Sequence, residues 1–200
     1  MARLEGSVMR GKLGDVIYST WHGRPYTRRR PKQVANPKTE AQEAHRNNFT
    51  KLVKLASEMK EAHRIGLHKQ AIRWKLDSSN TFKKLNKDHV RPEGIKYNLI
   101  EVSRGILDVV HIVSAKIDDQ RMLQVTFEGL ITPGNAADDF YLFAYCPELH
   151  IGKLSDPVHR SVGSLSLELP EDWLSHPLYF YAFLRGKNWH TSPTIYVSVK

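Results

Sequence analysis

The spacing of apolar positions changes near residue 94, from the period of helices to the period of strands. Between residues 45 and 59, apolar side chains recur at the spacing of one helical face. This pattern predicts a helix with a buried stripe, made of Phe49, Leu52, Val53, Ala56 and Met59. Further along, Leu123, Val125 and Phe127 alternate with polar neighbours, which is typical of a half-buried antiparallel strand.

Local signals set the ends of the predicted helices. Asn36-Pro37 stops an extended segment, and Thr39-Glu40-Ala41-Gln42 forms a capping box at which a helix begins. Gly66 weakens or ends this helix, and residues 67–76 form a second one or continue after a kink. Ser79-Asn80 can cap a third, short helix. We therefore expect two or three α-helices.

Six strand-like segments follow, each bounded by turn residues. They are residues 108–115, 122–128, 140–146, 164–169, 178–185 and 194–199. Because no helical pattern separates them, they predict an antiparallel β-sandwich of the immunoglobulin-like or fibronectin-like kind. The predicted fold is α+β, with a basic hairpin-plus-helix region over residues 1–94 and a β-sandwich domain over residues 95–200.

A β-hairpin is predicted ahead of the helices. Residues 15–20 and 24–30 are rich in β-branched or aromatic side chains, and His22-Gly23 can supply the positive φ of a tight turn. Alternation along the second strand places Arg28 and Arg30 on one face and Arg29 on the other. The arginines therefore cannot all point the same way.

Positive charge is concentrated in the first half of the chain. The formal net charge is +9, and it divides into +12 for residues 1–94 and −3 for residues 95–200. Such an asymmetry favours a polyanionic partner, or a neighbour with an acidic face, for the first half.

Aromatic rings lie among the charges of the hairpin, a combination used to bind bases and phosphates. A nucleic-acid interface here would use phosphate-contacting cations and stacking rings, namely Arg24, Arg28, Arg29, Arg30 and Lys32 with Trp21 and Tyr26. In the alternative interpretation, the charges only deter edge pairing, or the hairpin contacts a neighbouring subunit of a phage-like or other mobile-element particle. The sequence leaves both interpretations open.

The sequence offers no pattern for catalysis or metal binding. The ten histidines never have the His-x-x-x-His spacing, and no nucleophile elbow is present. Gly11-Lys12-Leu13-Gly14 lacks the Ser/Thr and helix of a phosphate loop. Cys146 lies in an apolar run and predicts a buried, inert thiol, since a lone cysteine cannot form an internal disulfide. We expect a non-enzymatic, cofactor-free, soluble cytoplasmic protein without a membrane segment.

Motifs in a fixed order resemble an uncharacterised family of Bacteroidota proteins, domain of unknown function 6266. At the N-terminal end they are Gly11-Lys12-Leu13-Gly14-Asp15-Val16-Ile17, Gly23, Tyr26, Arg28, Pro31, Asn36-Pro37-Lys38-Thr39, Gln42, Arg46 and Phe49. At the C-terminal end they are Ser103-Arg104-Gly105, Asp138-Asp139, Leu167-Glu168-Leu169-Pro170, Trp173, Ser192 and Tyr196. The resemblance implies a two-part protein with a C-terminal sandwich, and it implies no activity.

Overall fold

A computed structural model describes residues 3–5, 8–32 and 38–199 of the chain. The predicted Asn36-Pro37 turn lies outside the described residues. Contacts divide the chain into two compact units, residues 1–40 and residues 41–200. Each unit is described by itself.

The first unit is a four-stranded antiparallel sheet in the order β1-β2-β3-β4. Its strands are β1 (Arg3–Glu5), β2 (Val8–Leu13), β3 (Val16–Trp21) and β4 (Arg24–Arg29). The predicted hairpin is confirmed as β3 and β4. The sequence did not predict β2, which reaches β3 through a turn where Gly14 has a φ of +57°, a value that glycine adopts without steric cost.

The second unit begins with four helices. They are α1 (Glu40–Glu58), α2 (Lys60–Gly66), α3 (His68–Trp74) and α4 (Ser78–Asn86). The first three are nearly continuous, since the i to i−4 hydrogen bonds persist across both breaks, from Met59 N to Leu55 O and from Leu67 N to His63 O, each 3.0 Å long. The helix start at Glu40 is confirmed, whereas the N-cap of α4 is Asp77, whose side chain accepts a 2.7 Å bond from Asn80 N.

The buried stripe of α1 differs in part from the prediction. Leu52, Leu55 and Ala56 are buried, whereas Phe49 is 53% exposed and Val53 is 41% exposed. The helical period explains both exceptions. Val53 projects to the flank of the buried stripe, and Phe49 lies almost one turn before the first buried residue. The prediction that these two side chains belong to the core was therefore wrong.

Two antiparallel sheets follow a small hairpin formed by β5 (Val90–Arg91) and β6 (Gly94–Ile95). The remaining strands are β7 (His111–Ile117), β8 (Met122–Glu128), β9 (Asp139–Cys146), β10 (Ile151–Leu154), β11 (Val158–His159), β12 (Ser164–Glu168), β13 (Tyr179–Arg185) and β14 (Ile195–Val197). Short 3₁₀ helices cover Tyr97–Leu99, Arg160–Val162, Glu171–Trp173 and Lys187–Trp189. The sheet orders are β12-β8-β7 and β10-β9-β13-β14, with β11 also paired to β9. They form the predicted antiparallel sandwich of the immunoglobulin-like or fibronectin-like kind.

Two hydrophobic clusters lie on opposite faces of the β9–β13 sheet. The cluster between the sheets includes Leu123, Leu142, Leu167 and the free cysteine Cys146, so the predicted burial of this thiol is confirmed. The cluster on the other face packs sheet rings against the helices, and it includes Leu55, Met59, Phe82, Tyr141, Phe143, Tyr145, Tyr181 and Phe183. The second unit therefore has three layers, because its helices cover the outer face of the larger sheet.

The segment that leads from the helices into the sandwich is fixed to the start of β14. Ser103 Oγ donates a 2.6 Å hydrogen bond to Ser192 O, and Thr194 Oγ1 accepts bonds from the amides of Val102 and Ser103 at 2.9 and 2.8 Å. Ser103 and Ser192 are completely buried. These residues of the sequence motifs therefore have a structural role.

Candidate nucleic-acid interface

The turn between β3 and β4 fixes which side chains share a face of the hairpin. His22 and Gly23 have φ values of +47° and +78°, and a two-residue type I′ turn requires positive φ at both central positions. Glycine meets this requirement freely, while histidine adopts it at some steric cost. The tight turn pairs Trp21 directly with Arg24.

The register then places rings and arginines together. Trp21 pairs with Arg24, Ser19 with Tyr26, and Ile17 with Arg28. Because paired residues of antiparallel strands project to the same side and every second residue shares that side, these side chains form one surface. We call it the basic face and define it by Trp21, Arg24, Tyr26 and Arg28.

The other candidate cations lie on the opposite face of β4 or after its last residue. Arg29 pairs with Val16 and therefore projects to the opposite face, as the alternation predicted. Arg30 follows the strand, and its amide donates a 2.7 Å hydrogen bond to Asp15 O. Lys32 lies two residues further on and is exposed. The structure thus brings four of the seven candidate residues onto one face.

The side chains of the basic face are accessible. Every residue of β4 is exposed, Trp21 is 67% exposed and Tyr26 is 44% exposed. The ring of His22 lies edge-on to that of Trp21, with centroids 4.6 Å apart, so a flat surface of the indole is held beside the turn. The exposed rings of Trp21 and Tyr26 are accessible for stacking on a planar ligand.

One contributor to this face was missed by sequence reasoning. Lys12 on β2 pairs with Ile17, which in turn pairs with Arg28, so Lys12 extends the basic face across the sheet. Lys12 is exposed. The Gly14-Asp15 turn was the available signal, because two such residues between β-prone segments indicate a hairpin.

The segment that carries this face is strongly cationic. Asp15 is the single carboxylate among residues 9–32, which contain seven lysines and arginines. Arg24 and Arg28 are four residues apart, or about 13 Å along a strand. A stacked single strand rises about 3.4 Å per nucleotide, so the two guanidinium groups bracket about four nucleotides.

The described residues contain no group of three or more histidine, cysteine, aspartate or glutamate side chains that could hold a metal ion. No helix in the described part of the chain is long and apolar enough to cross a membrane.

Comparison with known protein families matches residues 8–184 to DUF6266, a family of unknown function. The match includes parts of both units, from the start of β2 to the next-to-last residue of β13, and it confirms the resemblance carried by the sequence motifs. No curated protein matches the chain.

Proposed function

The chain belongs to DUF6266, a family of unknown function. From its surface charges and exposed rings, we propose that it is a non-catalytic protein that binds a polyanion through the basic face. Nucleic acid is the polyanion that the two exposed rings favour, since a ring can stack on an unpaired base while guanidinium groups contact phosphates. A single strand fits better than a duplex, whose base faces are already stacked.

The register of the hairpin is the observation that carries this proposal. A basic composition alone would distribute charge over the surface, whereas the pairs Trp21–Arg24 and Ser19–Tyr26 set each ring beside a cation or a small polar neighbour on the same side. Cross-strand Cβ atoms are about 4.5–5.5 Å apart, which is close enough for one nucleotide to contact both members of a pair.

Each side chain has a distinct role in this proposal. Arg24 and Arg28 bind phosphates on the basic face, and Trp21 and Tyr26 stack on bases. Arg29 projects to the opposite face, while Arg30 and Lys32 follow the end of β4. These three charges raise the association rate more than they fix the position of the strand.

A binding titration tests the proposal. The purified protein is titrated with single-stranded DNA, single-stranded RNA and a duplex of the same sequence, at low and near-physiological salt. Single strands should bind more tightly than duplex, and binding should weaken with salt at a slope of about −0.7 per phosphate contact. The variant Trp21→Ala should lose roughly 1–3 kcal/mol, the contribution of one stacked base.

Arg28 and Arg29 provide a matched pair of variants, because they are adjacent, equally charged and on opposite faces. Arg28→Ser should weaken binding several-fold and reduce the salt slope by about 0.7, whereas Arg29→Ser should have a smaller effect. Equal effects of the two changes, or the absence of salt-dependent binding, would contradict the use of this face.

The outer edge of β4 supports a second candidate, an assembly protein that adds a strand from a neighbouring subunit. Within the described residues, β4 ends the sheet and has a strand partner on only one side. Pro25 lies in this edge and lacks an amide hydrogen, which disfavours pairing there. Light scattering after size-exclusion chromatography distinguishes the candidates, since a monomer at high concentration would contradict the assembly role.

A further inference from the structure

A small cavity in the second unit is lined by cations that come from three separate segments. Its volume is about 210 Å³, and it lies between α3, the segment around residue 105 and the loop that precedes β14. The charged or protonatable side chains of its lining are Lys69, Arg73, Arg104 and His190. None of the lining residues carries a carboxylate.

Positive charge at this cavity exceeds negative charge. Glu101 accepts hydrogen bonds from Nε and Nη2 of Arg104 at 2.7 and 2.5 Å, whereas Nη1 of Arg104 makes no hydrogen bond within the described part of the chain. Lys69 and Arg73 are four residues apart on α3, a spacing at which like charges repel and destabilise a helix. Among the described residues, neither takes part in an ion pair with a carboxylate. An anion in the cavity would relieve this repulsion.

The wall opposite α3 is held rigidly. A Cβ atom placed on Gly105 would lie only 1.8 Å from Thr191 O, so the two backbones touch. Thr191 Oγ1 donates hydrogen bonds to Gly66 O and Arg104 O at 3.1 and 3.3 Å, and Leu107 N donates to Thr191 O at 3.0 Å. The side of the cavity formed by Gly105 and Thr191 is therefore preformed.

The loop that brings His190 to this space has an unusual backbone. Asn188 and Trp189 are consecutive residues with φ values of +55° and +62°, a region that L-residues other than asparagine and aspartate rarely adopt. The Trp189 ring also packs on His68 of α3, with centroids 4.7 Å apart. This strained loop is thus fixed against the helix that carries Lys69 and Arg73.

We propose that the cavity binds a phosphate group, held by Lys69, Arg73, Arg104 and His190. Ammonium and guanidinium groups are the common protein partners of phosphate, and the space is smaller than the roughly 300 Å³ of sites for larger ligands. The phosphate belongs either to a nucleic-acid backbone or to a small phosphorylated molecule. This site is separate from the basic face and goes beyond the function proposed above.

Calorimetric titration with inorganic phosphate and with a nucleoside 5′-monophosphate tests the site. The double variant Lys69→Gln, Arg73→Gln should weaken the binding of both probes at least tenfold. The double variant Lys60→Gln, Lys87→Gln removes the same charge from exposed positions outside the cavity, and it should bind as the unchanged protein does. Circular dichroism checks that both variants are folded.

A titration with single-stranded oligonucleotide identifies the source of the phosphate. If the cavity binds a phosphate of the nucleic-acid backbone, the double variant Lys69→Gln, Arg73→Gln should also weaken oligonucleotide binding. If it binds a small phosphorylated molecule, the double variant should weaken only the binding of the monophosphate. Arg28→Ser should leave phosphate binding unchanged, so failure at the basic face can be told apart from failure here. Absence of saturable phosphate binding by the unchanged protein, or equal losses in both double variants, would overturn the proposal.

Discussion

The phenol of Tyr145 on β9 donates a 2.5 Å hydrogen bond to Oε2 of Glu58, the last residue of α1. The Glu58 side chain is only 10% exposed, so this bond joins the helical layer to the sheet where little water reaches. His150 Nδ1 lies 3.1 Å from Oε1 of the same carboxylate, and Lys54 Nζ lies 2.8 Å from His150 Nε2. These four side chains form one connected polar group.

Removing the phenol oxygen should destabilise the second unit. Tyr145→Phe leaves a buried oxygen of Glu58 without its donor, and such a loss costs about 1–3 kcal/mol. Urea unfolding measures this change in the free energy of unfolding. Tyr179→Phe is the matched control, because the Tyr179 phenol makes no hydrogen bond within the described residues; an equal loss in both variants would contradict the assigned role of the bond.

Alkaline solution should destabilise the protein through the same tyrosine. Burial, and then the hydrogen bond to Glu58, raise the pKa of Tyr145 far above its ordinary value, and burial likewise raises the pKa of Tyr181. Both keep their protons in the folded state, while the unfolded chain releases them above about pH 10. The free energy of unfolding should therefore fall above that pH, by up to about 1.4 kcal/mol per pH unit for each group. Tyr145→Phe should show a shallower fall, and an unchanged slope would contradict this cause.

Mild acid should destabilise the protein through His63. The side chain is 1% exposed, its Nε2 lies 2.8 Å from Ala56 O, and its ring packs on Phe82 with centroids 5.2 Å apart. Burial lowers the pKa of His63, so the unfolded chain takes up a proton at a higher pH than the folded protein does. Stability present above about pH 6.5 is lost as the pH falls toward the lower, folded pKa. Unfolding titrations at neutral pH and near pH 5 should show a larger loss in the unchanged protein than in His63→Gln, and parallel losses would exclude His63 as the source.

Gly105 should tolerate no side chain. A Cβ atom there would meet the carbonyl of Thr191, and a backbone carbonyl cannot swing away as a side chain can. Gly105→Ala should therefore lower the melting temperature strongly, with a loss in the range of about 1–3 kcal/mol or more, as overpacking gives. Gly134→Ala is the control, since its nearest contact is Thr132 Oγ1 at 3.8 Å; similar melting temperatures for the two variants would contradict the close packing at Gly105.

The stability of the β3–β4 hairpin should depend on the backbone preference of its two turn residues, His22 and Gly23. Gly23 has no heavy atom within 4 Å of an added Cβ, so Gly23→Ala acts only through the positive φ and should cost about 1 kcal/mol. His22→Asn should have the opposite sign, because Asn-Gly is a preferred type I′ turn. Amide hydrogen exchange in β3 and β4 measures both effects, and exchange that is faster in His22→Asn would contradict the turn assignment.

Short-range signals in the sequence predicted the hairpin and most of the sandwich. His22-Gly23 determines its turn from two residues alone, and the alternation of Leu165 and Leu167 with polar neighbours identifies β12. Where the signal was weak, strands were missed: β10 contains Gly152, and β11 has only two residues. Their pairing with β9 is a tertiary event that local propensity does not encode.

The buried face of α1 and the cavity beside α3 could not be predicted for a different reason. Which turns of α1 become buried depends on the tertiary packing of the helix, and the first buried residue, Leu52, comes after Phe49. The cavity collects Lys69, Arg104 and His190 from distant parts of the chain, and no spacing in the sequence links them. A usable signal did exist for the helical layer, because β9 is apolar at consecutive positions, which indicates burial on both faces.

Because β9 and β13 are buried on both faces, the helices and the sandwich depend on each other for stability. A chain that begins after residue 94 would lack the helices and would expose Tyr141, Phe143 and Tyr181. We expect such a fragment to aggregate through this apolar surface. Recombination within the first forty residues leaves both covers of that sheet in place. The part of the chain after residue 40 therefore has to stay together for this sheet to be covered on both faces.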